Sequence, residues 1–145
     1  MVKSLAGMCV SIAIFLVAGC GPGGPDIARV EGTVTMDDKP LAGAVIMFVP
    51  IGGRPSASET DASGKYVLEF SAGRKGAIPG MNRVEINTAR MAYEKDGKNY
   101  PAVKESVPAK YNRNTELEFD VEPGKKNIAD FKLKSGGKIV EDNAQ

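Results

Sequence analysis

Through most of residues 28–133, polar and apolar positions alternate with a period of two. Ala28, Val30, Gly32, Val34 and Met36 fall on one face and Arg29, Glu31, Thr33 and Thr35 on the other, the pattern of a half-buried strand. Residues 44–49 are apolar on both faces, which predicts a strand inside a sheet, ended by Pro50. A short strand is expected over residues 57–60. The next, residues 65–70, turns Tyr66, Leu68 and Phe70 inward. Residues 82–88 set Val84 and Ile86 against Arg83 and Glu85. Residues 115–121 set Leu117, Phe119 and Val121 against Glu116, Glu118 and Asp120, and residues 128–133 turn Ala129, Phe131 and Leu133 inward. Turn formers separate these runs: Asp37-Asp38-Lys39-Pro40, Asp61-Ala62-Ser63-Gly64 and Glu122-Pro123-Gly124. No segment of this body has a helical period.

Seven such strands predict an all-β fold, a seven-stranded antiparallel β-sandwich over residues 27–134. A second sheet buries the apolar face that one open sheet would leave wet. Residues 89–109 are charged and without clear period, and read as a long loop, either functional or mobile. Residues 135–145 read as a polar tail.

The amino terminus has a different pattern. Lys3 precedes a mostly apolar run over residues 5–18, shorter than the roughly 20 residues needed to cross a bilayer as a helix. The run closes on Leu16-Val17-Ala18-Gly19-Cys20, which resembles the bacterial lipobox. That resemblance implies a lipoprotein signal peptide over residues 1–19 and cleavage between Gly19 and Cys20. It also implies diacylglycerol on the Cys20 sulfur and a fatty acyl group such as palmitate on the new amino terminus. Several acyl chains anchor stably where one binds marginally. A plain secretory signal with a chance cysteine is the other reading. Residues 20–26 then comprise the lipidated cysteine and a flexible Gly/Pro tether. From Cys20 to Ile27 the chain spans about 25 Å at most, so the body is held close to its bilayer. The expected location is the bacterial cell envelope, on the outer membrane or the periplasmic face of the inner one. Gly21 is not an obvious inner-membrane retention residue, which leans toward the outer membrane.

Composition narrows the chemistry. The 145 residues contain no histidine, so the commonest general base and metal ligand is missing. The formal charge of +1 indicates no nucleic-acid footprint. Both cysteines, Cys9 and Cys20, precede the body, which therefore has no disulfide framework. The serines at 4, 56 and 71 lie in no nucleophile elbow. The chain reads as a non-enzyme without cofactor or metal.

A further resemblance lies in the body. Gly32-Thr33-Val34, Lys39-Pro40-Leu41-Ala42-Gly43-Ala44-Val45-Ile46 and Thr60-Asp61-Ala62-Ser63-Gly64-Lys65-Tyr66 resemble the carboxypeptidase regulatory-like family. Residues 107–112 and 115–117 look like a segment of small envelope lipoproteins of this type. The resemblance implies a transthyretin-like (prealbumin-like) sandwich of seven strands and an accessory, non-catalytic role. Transthyretin-like hydrolases and intradiol dioxygenases share that architecture but rely on histidines.

Few residues are candidates for binding. Asp61, Ser63 and Gly64 suggest a Ca²⁺ loop, but the twelve-residue acidic spacing is absent, and a structural turn is the simpler reading. Asp37 and Asp38 read as turn formers too. Gly73-Arg74-Lys75-Gly76 has cations for an anion but lacks the phosphate-loop ending. Tyr100, Lys104, Lys110, Tyr111 and Arg113 form a candidate surface for a glycan or anionic small ligand, set against a loop packed by its own tyrosines. The expectation is an anchored interaction module whose partners are the bilayer, through acylated Cys20, and an envelope protein. The alternative is a small-ligand or glycan binder using residues 89–109.

Overall fold

The computed structural model describes residues 24–140. The lipobox, the Gly19–Cys20 cleavage position, the first part of the tether and the last five residues of the tail lie outside them.

The described chain is all-β apart from one 3-10 turn, at Ala109–Tyr111. β1 (Val30–Met36) turns through Asp37-Asp38 into β2 (Lys39–Pro40). β3 (Val45–Pro50), β4 (Ser56–Glu59), β5 (Lys65–Val67), β6 (Glu69–Ser71), β7 (Arg74–Lys75) and β8 (Gly80–Asn87) follow. β9 (Tyr93–Lys95) and β10 (Lys98–Tyr100) pair only with each other. β11 (Glu118–Val121), β12 (Asn127–Ile128) and β13 (Phe131–Leu133) complete the set.

β1 is the axis of the first sheet, with β2, β5, β12 and β13 all paired to it. The second sheet runs β11-β8-β3-β4-β6-β7 and is antiparallel throughout. The two sheets share one core, giving a sandwich-like arrangement. Val30, Val34, Tyr66, Phe131 and Leu133 from the first pack with Ile46, Phe48, Val84, Ile86 and Val121 from the second. Phe48 meets Phe119 and Phe131 edge-on at 5.8 and 6.2 Å. β3 lies inside its sheet, as its apolar faces require, and Tyr66, Leu68 and Phe70 are buried.

The architecture departs from seven antiparallel strands in three ways. First, β12 and β13 pair with β1 in parallel. The chain leaves β11 at the far edge of the second sheet, turns through residues 122–126 and runs beside β1 in the same direction. Second, residues 65–70 are two segments. At Leu68 the chain changes sheets: its N–H donates to Val30 O at 3.0 Å, and its carbonyl accepts from Gly76 N at 2.8 Å. Third, residues 89–109 contain the β9–β10 hairpin. Two smaller shifts follow from side chains: β3 includes Pro50, opposite Asn82, and β11 begins only at Glu118. Ahead of it the Thr115 hydroxyl takes a ladder position, donating to Val84 O at 2.7 Å and accepting from Leu117 N at 3.1 Å.

Strand direction assigns the loops to two ends. Ala28 bridges Ala77, Pro50 faces Asn82 and Val121 faces Gly80 at the end where the described chain begins. The turns at 37–38 and 61–64 and the β9–β10 hairpin lie at the other.

Candidate functional site

The motif residues are occupied by the fold. One Asp61 carboxylate oxygen accepts from Ser63 N (2.8 Å), Ser63 Oγ (2.7 Å) and Lys65 N (3.0 Å). These bonds, the Ser63 hydroxyl foremost, hold the Asp61 carboxyl below the usual aspartate range. Thr60 Oγ1 donates to Leu41 O at 2.6 Å and accepts from Ala44 N at 2.9 Å, tying the 41–44 bend to β4. Gly64 has φ +75° and faces the Val34 carbonyl, where a Cβ would collide. Asp61, Ser63 and Gly64 thus form a turn closing on β1. Asp37 and Asp38, at φ +50° and +63°, form the two-residue β1–β2 turn. Asp37 accepts from Ser135 N at 3.2 Å, and its carboxyl lies below the usual range chiefly through Ser135. Gly73-Arg74-Lys75-Gly76 is the β6–β7 hairpin.

A second cluster crosses the first sheet. Tyr66 Oη donates to Ala129 O at 2.6 Å, and the Asp130 carboxylate accepts from Thr33 N at 2.8 Å. Asp130 thus replaces the main-chain partner that Thr33 loses where β12 breaks from β13. Burial, with the Asp130 charge adding to it, pushes the Tyr66 phenol far above its ordinary range.

Of the five candidate ligand residues, Lys110 and Tyr111 are in contact. Tyr100 lies in the hairpin, stacked on Tyr93 with centroids 4.7 Å apart and planes 5° from parallel. Arg90 lies over Tyr93 and Lys98 over Tyr100, at 5.9 and 5.4 Å. The gap between the rings has no room for either cation, so both sit outside the stack. Lys110 covers Tyr111 at 4.9 Å, and Tyr111 Oη accepts from Lys134 N at 3.1 Å. Arg113 lines a hollow of about 380 Å³ with Glu85, Asn87 and Glu105. Lys104 contributes its carbonyl to Thr88 Oγ1 at 3.5 Å.

Three features escaped the reading of the chain. Asp96-Gly97, both at positive φ, is the two-residue turn of the hairpin, and an Asp-Gly pair is a strong hairpin signal that was there to be read. Tyr93 is the partner of Tyr100. Glu105 is the buried latch below the hairpin: its Oε1 accepts from Thr88 N (3.1 Å), Thr88 Oγ1 (2.8 Å), Ser106 N (2.9 Å) and Val107 N (2.8 Å). Nothing in the local sequence marks it.

Among the described residues, no three of His, Cys, Asp and Glu come together as a metal-binding group, and no helix is long and apolar enough to cross a membrane. No family model and no curated protein matches the chain. Among solved structures it is similar to a 9R-lipoxygenase from Cyanothece PCC8801, with 14% identity and a TM-score of 0.39. That match covers 82% of this chain and 18% of the lipoxygenase chain.

Proposed function

We propose that this chain is a lipoprotein of the bacterial envelope, anchored to the outer membrane or the periplasmic face of the inner membrane through acylated Cys20. Its non-catalytic domain is of the carboxypeptidase regulatory-like, seven-stranded transthyretin-like kind and presents the β9–β10 hairpin to a protein partner. The lipobox supports the anchor. The family reading gains support from Gly32, Thr60, Asp61, Gly64 and Tyr66, motif positions that each carry part of the fold.

The observation that carries the interaction role is the hairpin itself. It stands apart from both sheets at the end away from residue 24. Met91 is 78%, Tyr93 43% and Val103 38% exposed around the stacked Tyr93–Tyr100 pair. Exposed apolar and aromatic side chains grouped in this way are the usual anchors of a protein interface. A second reading, glycan or small-ligand capture, draws on the hollow of about 410 Å³ bordered by Tyr93, Asn99 and Tyr100.

A photo-crosslinker at Met91, which the shortened chain below retains, tests both in the full chain in intact cells. The expected result is one discrete protein adduct, lost when residues 92–101 are replaced by Asn-Gly. The Arg90–Val103 bridge, with bonds of 3.0 and 2.9 Å, would carry the shortened turn. An adduct pattern unchanged by the replacement would overturn the protein-partner reading; hairpin-dependent retention on immobilised peptidoglycan would favour the glycan. Fatty-acid analogue labelling, equal in wild type and Cys20→Ala, would overturn the anchor.

A further inference from the structure

We infer that the end of the sandwich opposite the hairpin docks on the phosphate layer of the anchoring bilayer, through Arg54, Arg74 and Ile51. This rests on the Cys20 anchor proposed above.

The contacts are continuous. Phe70 lies under two guanidinium groups, Arg54 at 5.6 Å and Arg74 at 5.3 Å from its centroid. Arg74 also donates to Pro25 O at 2.8 Å and lies against Gly24, so the described chain begins against this pair. From Gly24 back to Cys20 is four residue steps, about 14 Å at full extension. A lipid on Cys20 therefore holds the arginine pair within reach of headgroups. A guanidinium held over an aromatic ring can still offer edge N–H groups to the oxygens of a phosphate, although Arg74 has given one of its own to Pro25 O.

Ile51 supplies the apolar part. It is 94% exposed at the tip of the loop that leads to Arg54, and no fold contact accounts for it. Met81, 48% exposed, lies next to Asn82, which faces Pro50 at the base of that loop. Lys75, which is exposed, adds a third cation, and Glu69 across the β6–β7 pair, Asp26 near the tether and Asp120 opposite Met81 are the carboxylates. Arg29, Lys125 and Lys126, also at this end, are taken up by Glu31 and Glu122 in ion pairs. Arg29, Arg54, Arg74, Lys75, Lys125 and Lys126 stand against Asp26, Glu31, Glu69, Asp120 and Glu122, an excess of one cation at this end, and each cation near an anionic leaflet strengthens association about fivefold.

The chain has no tryptophan, so one can be introduced as a reporter. The lipidated full chain carrying Ile51→Trp is reconstituted into phosphatidylcholine vesicles with or without phosphatidylglycerol and brominated lipid. The expected result is quenching in the anionic vesicles, absent from a Tyr93→Trp chain. It should fall to the neutral-vesicle signal with Arg54→Glu plus Arg74→Gln. Should that variant misfold by circular dichroism, raising the salt from about 0.1 to 1 M removes the attraction without mutation. A chain that floats with vesicles while Trp at 51 stays unquenched overturns the docking and leaves the anchor standing. Equal quenching in neutral and anionic vesicles overturns the role of the arginines. A chain that does not float overturns the anchor, and the docking with it.

Discussion

Gly32 lets β1 and the C-terminal segment at Ala129 approach closely. A Cβ there would overlap the Ala129 carbonyl, whose oxygen is already held by Tyr66 Oη. The need is for space rather than for unusual backbone, because Gly32 is not among the positive-φ glycines. Gly32→Ala should cost about 3 kcal/mol or more in urea unfolding, since backbone on both sides must move. Tyr66→Phe keeps the ring in the core but leaves the carbonyl without its donor; about 1–3 kcal/mol is expected in the same assay. An alkaline absorbance titration should show one of the four tyrosines failing to ionise until the protein unfolds. A raised phenol favours the native state below the unfolded value near 10, and that contribution is lost as pH climbs past it. Asp61 has the opposite sign. Its carboxyl is depressed when folded, so its stabilisation is full above the ordinary aspartate value and disappears as pH falls through the lower folded one. Glu31, depressed chiefly by Lys126 and then Arg29, acts alike. Urea midpoints should hold steady down to about pH 4 and drop below it, less steeply in Asp61→Asn.

At the scale of elements, period-two burial was legible wherever one face of a strand meets the core, as in β1, β3, β8 and the Tyr66-Leu68-Phe70 run. It could not tell where a strand changes partners. Leu68 is buried whichever sheet its neighbours join, so alternation passes through the switch unbroken. The parallel pairing of β12 and β13 was equally hidden, because side-chain period is the same in either direction. The hairpin was missed because its residues face water, leaving Asp96-Gly97 as the sole cue. The surroundings of the candidate ligand residues were hidden for a related reason: Tyr100 stacks on Tyr93 in the hairpin, Lys110 covers Tyr111 at the 3-10 turn, and Arg113 lines a hollow with the Glu105 latch. That latch makes its own prediction. Glu105→Ala strips the acceptor from two backbone N–H groups, those of Thr88 and Val107, while that of Ser106 keeps Thr88 Oγ1. A cost of about 2–3 kcal/mol is expected, with hydrogen exchange accelerated at residues 88 and 107 before it rises in β3 or β8. Uniform acceleration across both sheets would show that the latch belongs to the core rather than to the hairpin's base.

For the molecule as a whole, the decisive contact joins the two ends of the chain. Among the described strands β1 is the first to be synthesised, and it is the axis of its sheet, yet β12 and β13 follow it only about a hundred residues later. Until then, Val30 and Val34 have β2 and β5 beside them but lack Phe131 and Leu133. Phe48 has Phe119 on one side and an empty place where Phe131 belongs. Contacts this distant in sequence close late and slowly, because the loop entropy must be met before the contacts return anything. The second sheet cannot stand in for the first, since its inner face would then be wet. A chain truncated after Lys126 should therefore keep β-type circular dichroism at most in part, bind a hydrophobic dye and show no cooperative urea transition. A sharp two-state transition in that truncation would mean that the antiparallel sheet folds by itself, with β1 and its C-terminal partners as a later addition.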